Sequence, residues 1–254
     1  MIRDAWLAVI GVVTLSPLIA AQSAPSRAST IIAEDVFYEV PLTACETPSV
    51  VASIVVATHV AAGIEHVPGV CDGRTLPARR PDRDRVFLAG VTIADALDHL
   101  VTLDPRYKWA ETDGVIVFRP VKAWSDARHF LNQPLDGFSL TDEHLGGALD
   151  AYRAALSGEP RQANNMGLWS MRTVEGDRRF SVRDGPTSPT LALDSIVRAH
   201  GAAFWDVEYC LPEYQRDYAT VSLVTSEHDP TRLMIRLRPV ASINGQLVDV
   251  CKSR

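Results

Sequence analysis

Residues 91 to 120, VTIADALDHLVTLDPRYKWAETDGVIVFRP, constrain the fold most, because they spell out a helix with both ends marked and then a tight hairpin. Ile93, Ala96, Leu97, Leu100 and Val101 recur at helical spacing and form one apolar stripe, while Asp95, Asp98, His99 and Thr102 face away. Thr92 is placed to cap the amino end, with Asp95 three residues on, and Asp104-Pro105 stops the helix. Tyr107 to Glu111 then alternates with period two, Asp113-Gly114 supplies the positive φ of a two-residue turn, and Val115 to Phe118 runs back.

The pattern returns. Ser188-Pro189 reads as N-cap and first helical position, and Ala192, Leu193, Ile196 and Val197 correspond to Ala96, Leu97, Leu100 and Val101. Leu97 precedes Trp109 by 12 residues, Leu193 precedes Trp205 by 12, and Asp98 corresponds to Asp194. Residues 201–209 match the Tyr107 strand, with residues 219–224 as a return strand and further strands at 233–237 and 245–250. This predicts an α+β fold of two similar small units, each with two helices packed on a short mixed or antiparallel sheet. The expected organisation is an export signal at 1–24, a first unit at 30–121, a linker at 122–134 and a second, divergent unit at 135–254.

The remaining elements follow in order. Residues 35–40 read as a strand, and Thr47-Pro48 opens an apolar helix expected to run to Gly63 and to be buried against the Ile93 helix. His59 and His66 in or after it are expected to be packed or surface imidazoles. Asp72 to Arg85 holds five arginines, three aspartates and two prolines and reads as an exposed loop. Val86 to Ala89 is a short strand, Thr141 is expected to cap a helix ended by Gly158, residues 168–171 are a candidate strand, and residues 180–182 are another.

The chain of 254 residues is 46% hydrophobic and 22% charged, which suits a globular protein of one sizeable or two small domains. Its net charge of −6 argues against nucleic acid as a partner. Ala5 to Ala21 is an apolar run behind Arg3 and ahead of small polar residues, the layout of a cleavable signal with cleavage near Ala21 or Ala24. No integral membrane segment is expected after cleavage, and the destination is the periplasm or the exterior.

Four cysteines in an exported chain read as two disulfides. Of three possible pairings, Cys45 with Cys71 and Cys210 with Cys251 keeps each bond within one half, each contributing about 2–4 kcal/mol. No CxxC pair suggests a zinc or thioredoxin-type centre, and neither metal nor cofactor is expected.

The helix ALDHLV, the aromatic strand Tyr107-Lys108-Trp109 and the return strand GVIVF resemble the short N-terminal domain of secretins and TonB-dependent receptors. The resemblance covers residues 87–118 best and 180–205 less closely, and no plug, barrel or secretin core follows. It implies a non-catalytic periplasmic interaction or adaptor module whose partner is another envelope protein.

Enzyme signatures are missing: there is no GxSxG, HExxH, phosphate-loop or dinucleotide pattern. The alternative, a small exported hydrolase, would have to draw on Asp98, His99, Asp194 and His200. Trp109 and Trp205 are expected to pack in the core. Candidate partner contacts are Trp124, Trp169, Tyr214 and Tyr218, the loop arginines Arg79 and Arg80, and open strand edges that accept an added strand.

Overall fold

A computed structural model describes residues 26–33, 36–42, 46–68, 84–158, 178–183, 185, 188–209, 219–226, 232–236, 241–243 and 246–248. The chain is mixed α+β. Its centre is a six-stranded sheet containing β2 (Ala62–Glu65), β4 (Tyr107–Thr112), β5 (Val115–Pro120), β8 (Ala203–Tyr209), β9 (Ala219–Thr225) and β10 (Arg232–Arg236). Three two-stranded sheets accompany it: β1 (Phe37–Val40) with β3 (Asp84–Phe87), β6 (Leu140–Glu143) with β7 (Phe180–Val182), and β11 (Ala241–Ile243) with β12 (Gln246–Val248).

The strand order is β10-β9-β8-β2-β5-β4, so β2 lies between the two hairpins and pairs in parallel with both β5 and β8. Alternation along the strands then fills two cores. On one face, Ala62, Ile64, Ile116, Phe118 and Phe204 meet helices α1 (Glu46–Thr58) and α2 (Ile93–Leu103). On the other, Val115, Val117, Trp205, Val207, Val221 and Leu223 meet helices α4 (Leu145–Ser157) and α5 (Pro189–His200). A fully buried Leu or Ile on these stripes contributes about 1.5–3 kcal/mol.

The local signals work as the residues dictate. Thr92 accepts from the amide of Asp95 at 3.1 Å, and Ser188 accepts from that of Leu191 at 3.3 Å. Asp113 and Gly114 both hold positive φ and close the β4–β5 hairpin, and Gly158 and Gly201 end α4 and α5 in the left-handed region.

Two expectations need correction. The first apolar helix does not run to Gly63: it ends at Thr58, His59 turns the chain with φ of 53°, and Ala62–Glu65 is the central strand. Gly63 is a strand glycine. A Cβ there would stand 2.0 Å from the indole of Trp205, its register partner, so only glycine lets that ring lie flat across β2. Thr47 is likewise inside α1, and its hydroxyl donates to Asp104 at the end of α2, tying the two helices together. The second correction concerns α4: Thr141 belongs to β6, and the cap is His144, whose Nδ1 accepts from the amide of Gly147 at 3.1 Å.

Residues 122–134, expected to connect two units, form most of α3 (Val121–Ser125) and a 3₁₀ turn at Phe130–Asn132, and they send Phe130 and Leu131 into the second core. Among the described residues no helix is long and apolar enough to cross a membrane.

Candidate functional site

The carboxyl ends of the parallel strands β2, β5 and β8 are where open α/β sheets usually present chemistry. Here β2 ends in Glu65 and is followed directly by His66, and the alternation carried on from the strand sends the two to opposite faces. Each is the centre of a charged cluster.

Glu65 is fully buried, facing the second core. One carboxylate oxygen takes the Arg119 Nε at 2.5 Å; the other takes the Tyr209 hydroxyl at 2.7 Å and lies 2.8 Å from His129 Nε2. His129 Nδ1 accepts from the amide of Leu131, so its Nε2 carries the proton and donates to Glu65. Arg119 reaches on to Asn132 at 3.1 Å. Burial by itself would push the Glu65 carboxyl up, but the His129 hydrogen bond, the Arg119 charge and the Tyr209 hydroxyl together hold it below the usual range. Such a satisfied buried network locks one packing, and removing one partner typically costs about 3–5 kcal/mol. It is sealed from solvent and offers no open position to a substrate.

His66 faces the other side and is partly exposed. Its amide donates to the carbonyl of Val207 at 2.9 Å, which fixes the residue beside β8. Its Nε2 is 2.8 Å from Asp206 Oδ1. Arg232 Nη2 donates to Asp206 Oδ2 at 2.5 Å and to Glu208 at 2.9 Å, and Arg232 Nε donates to Ser222 at 3.1 Å. Burial opposes charge on both His66 and Asp206, yet their mutual attraction prevails, raising the imidazole and lowering the carboxyl. Unlike the Glu65 cluster this one borders solvent, since Arg232 and Glu208 are both well exposed.

The hydrolase candidates do not meet. Asp98 accepts from the Trp109 indole at 2.9 Å, and His99 bonds the Tyr38 hydroxyl at 2.6 Å. Asp194 accepts from the Trp205 indole at 2.7 Å, while His200 Nδ1 accepts from the amide of Ala202 and its ring meets Phe180 edge-on. Asp98 and His99 lie on α2 and Asp194 and His200 on α5, against opposite faces of the sheet. Trp205 is fully buried as expected, and Trp109 is half-buried.

Of the candidate partner contacts, Trp124 stands on α3 next to the sheet edge, with the Lys108 ammonium 4.9 Å and the Arg119 guanidinium 5.5 Å from its ring centre. Trp169, Tyr214, Tyr218, Arg79, Arg80 and the four cysteines Cys45, Cys71, Cys210 and Cys251 lie outside the described residues, as do residues 1–24 and the candidate strand at 168–171.

The edge itself is β4, the last strand of the order. Val121 donates to the carbonyl of Arg106, so with the observed register the hydrogen-bonded pairs fall at 108/119, 110/117 and 112/115. The amides of Trp109 and Glu111 therefore point away from β5, and no strand takes them among the described residues. Two clefts are also present, the first of them beside the turn end of β4. One of about 820 Å³ has Arg27, His59, Glu111, Asp113 and Arg198 on its walls, and one of about 780 Å³ lies between Phe130, Leu135, Leu156 and Pro189.

Neither polar cluster was visible in the sequence. A usable signal was present for one: Asp206 and Glu208, two apart on a strand, share a face. The chain matches no protein-family model, and no curated protein and no solved structure resembles it closely enough to count as a match.

Proposed function

We propose that the chain is a non-catalytic interaction module of the cell envelope, exported by its N-terminal apolar run, that receives an extended segment of a partner protein along the edge of β4. The observation that carries this reading is the row of outward amides and carbonyls on β4. A strand laid there gains main-chain hydrogen bonds over six residues, and its alternate side chains fall either beside Lys108 and Trp124 or beside Trp109.

The order of elements supports two similar units. The succession β1, α1, β2, β3, α2, β4, β5 is followed, after α3, by β6, α4, β7, α5, β8, β9, which repeats it without a counterpart of β2. In each run a two-stranded antiparallel sheet accompanies a helix pair and a hairpin, and in each an aspartate on the second helix accepts from a tryptophan eleven residues on. This plan also supports kinship with the short domain of secretins and TonB-dependent receptors, in which such units serve protein contacts.

A photo-activated cross-linking residue tests the reading. Placed at Lys108 or Thr112, both exposed on β4, it is expected to give a discrete adduct with one envelope protein in cells; placed at exposed Leu191 on α5 it is expected to give none. Equal labelling from all three positions, or none from β4, would remove the edge as the docking site.

A further inference from the structure

The cluster around His66 is separate from the β4 edge and does not depend on the role assigned to that edge. Its carboxylates are gathered around a cation: one guanidinium nitrogen of Arg232 is shared by Asp206 and Glu208, while His66 meets the other oxygen of Asp206. One ligand-capable atom each from His66, Asp206 and Glu208 lies within 4.8 Å of the other two. Tetrahedral zinc with bonds of about 2.0–2.2 Å to nitrogen and oxygen holds its ligand atoms roughly 3.3–3.5 Å apart.

The scaffold is rigid where it has to be. Asp206 and Glu208 share one face of β8, and His66 is held against that strand by its own amide bond to Val207. Asp206 is only 5% exposed, so its carboxylate is fixed in a poorly hydrated wall where a nearby positive charge counts for most. The present cation comes on a long side chain from β10 that is 40% exposed and has open solvent to move into. Imidazole with two carboxylates is a donor set that suits zinc-class ions, and three protein ligands leave the fourth position to water or to a partner's side chain.

We propose that His66, Asp206 and Glu208 hold one divalent zinc-class metal ion, and that the Arg232 guanidinium is the internal counter-cation that the metal displaces. Binding exchanges one cation for another: the Arg232 side chain leaves both carboxylates, and His66 gives up any proton on Nε2 to the solvent.

Calorimetric titration of the purified protein with zinc chloride tests this, with cobalt absorption reporting the donor set. One zinc per chain is expected. Arg232→Met should tighten binding at least tenfold by removing the competitor. His66→Gln should weaken it at least tenfold, and in the Arg232→Met background it should cancel the gain. Far-UV circular dichroism and the unfolding midpoint establish that each variant is folded, and Glu208→Gln, at the more exposed ligand, should also weaken binding at least tenfold and keeps the test alive if another variant is not. No binding at millimolar zinc by either the wild type or Arg232→Met overturns the site, as does zinc binding that His66→Gln leaves unchanged. Binding that depends on His66 but is indifferent to Arg232→Met overturns the displacement.

Discussion

The pairs Asp98–Trp109 and Asp194–Trp205 are the same device in two settings. In each, a helix aspartate accepts the indole N–H of a strand tryptophan eleven residues later, at 2.9 Å in the first and 2.7 Å in the second. Asp98 is exposed, whereas Asp194 is 6% exposed. The cause is position in the sheet. Trp109 lies on β4, at the edge, while Trp205 lies on β8, flanked by β2 and β9, and its ring spreads over Gly63. Spacing along the chain creates the pair, and pairing between strands decides whether water reaches it.

Burial changes the chemistry of Asp194. Desolvation pushes Asp194 up to about 6, although the Trp205 hydrogen bond and the charges of Arg119 and Arg198 pull the other way. An aspartate raised in the folded state above its unfolded value costs stability once the pH exceeds both values, and that cost disappears as the pH falls and the folded protein takes up a proton.

The contrast can be broken most severely at Gly63. Gly63→Ala drives a methyl group into the Trp205 indole, so a loss of about 3 kcal/mol or more is expected in denaturant unfolding. The loss should shrink in a Trp205→Leu background, where the ring is gone, and strict additivity of the two changes would show that the contact is not the cause. Next in size is Trp205→Phe, which strands the buried Asp194 without its donor and should cost about 2–3 kcal/mol, while Trp109→Phe at the wetter site should cost under about 1 kcal/mol. Equal costs would mean that the settings differ less than their burial implies.

Comparable in size, but sharper, is Asp194→Asn followed across pH. From a shift of 3.8 to about 6, Asp194→Asn should stabilise by about 3 kcal/mol at pH 8, with the gain fading between pH 6 and pH 4. Asp98→Asn, at the exposed site, should stay within about 0.5 kcal/mol of wild type at neutral pH. A gain for Asp194→Asn that is flat with pH would contradict the assignment.

Much of this was legible in local residues. Thr92, Ser188, Gly158 and the Asp113-Gly114 turn act through neighbours within a few positions, so their signals survive without the fold. The strand β2 was not legible. Val60-Ala61-Ala62-Gly63-Ile64 extends an apolar helix without a break in pattern, and a short strand covered on both faces lacks the alternation that marks a half-buried one. The turn that separates them rests on His59 in a conformation more often taken by glycine. The Glu65 cluster escaped for a different reason. Glu65, Arg119, His129 and Tyr209 come from four separate segments brought together by pairings such as Ala62 with Phe204, and no local spacing encodes them.

The functional account stands on an open edge at β4, and amide hydrogen exchange followed by NMR on the free protein measures that edge directly. The account predicts that the Trp109 and Glu111 amides exchange at least about 100-fold faster than the inward Lys108 and Ala110 amides of the same strand, and slow when the partner is bound. Uniform slow exchange along residues 108 to 111 in the free protein would mean that the edge is already covered, and would contradict docking there.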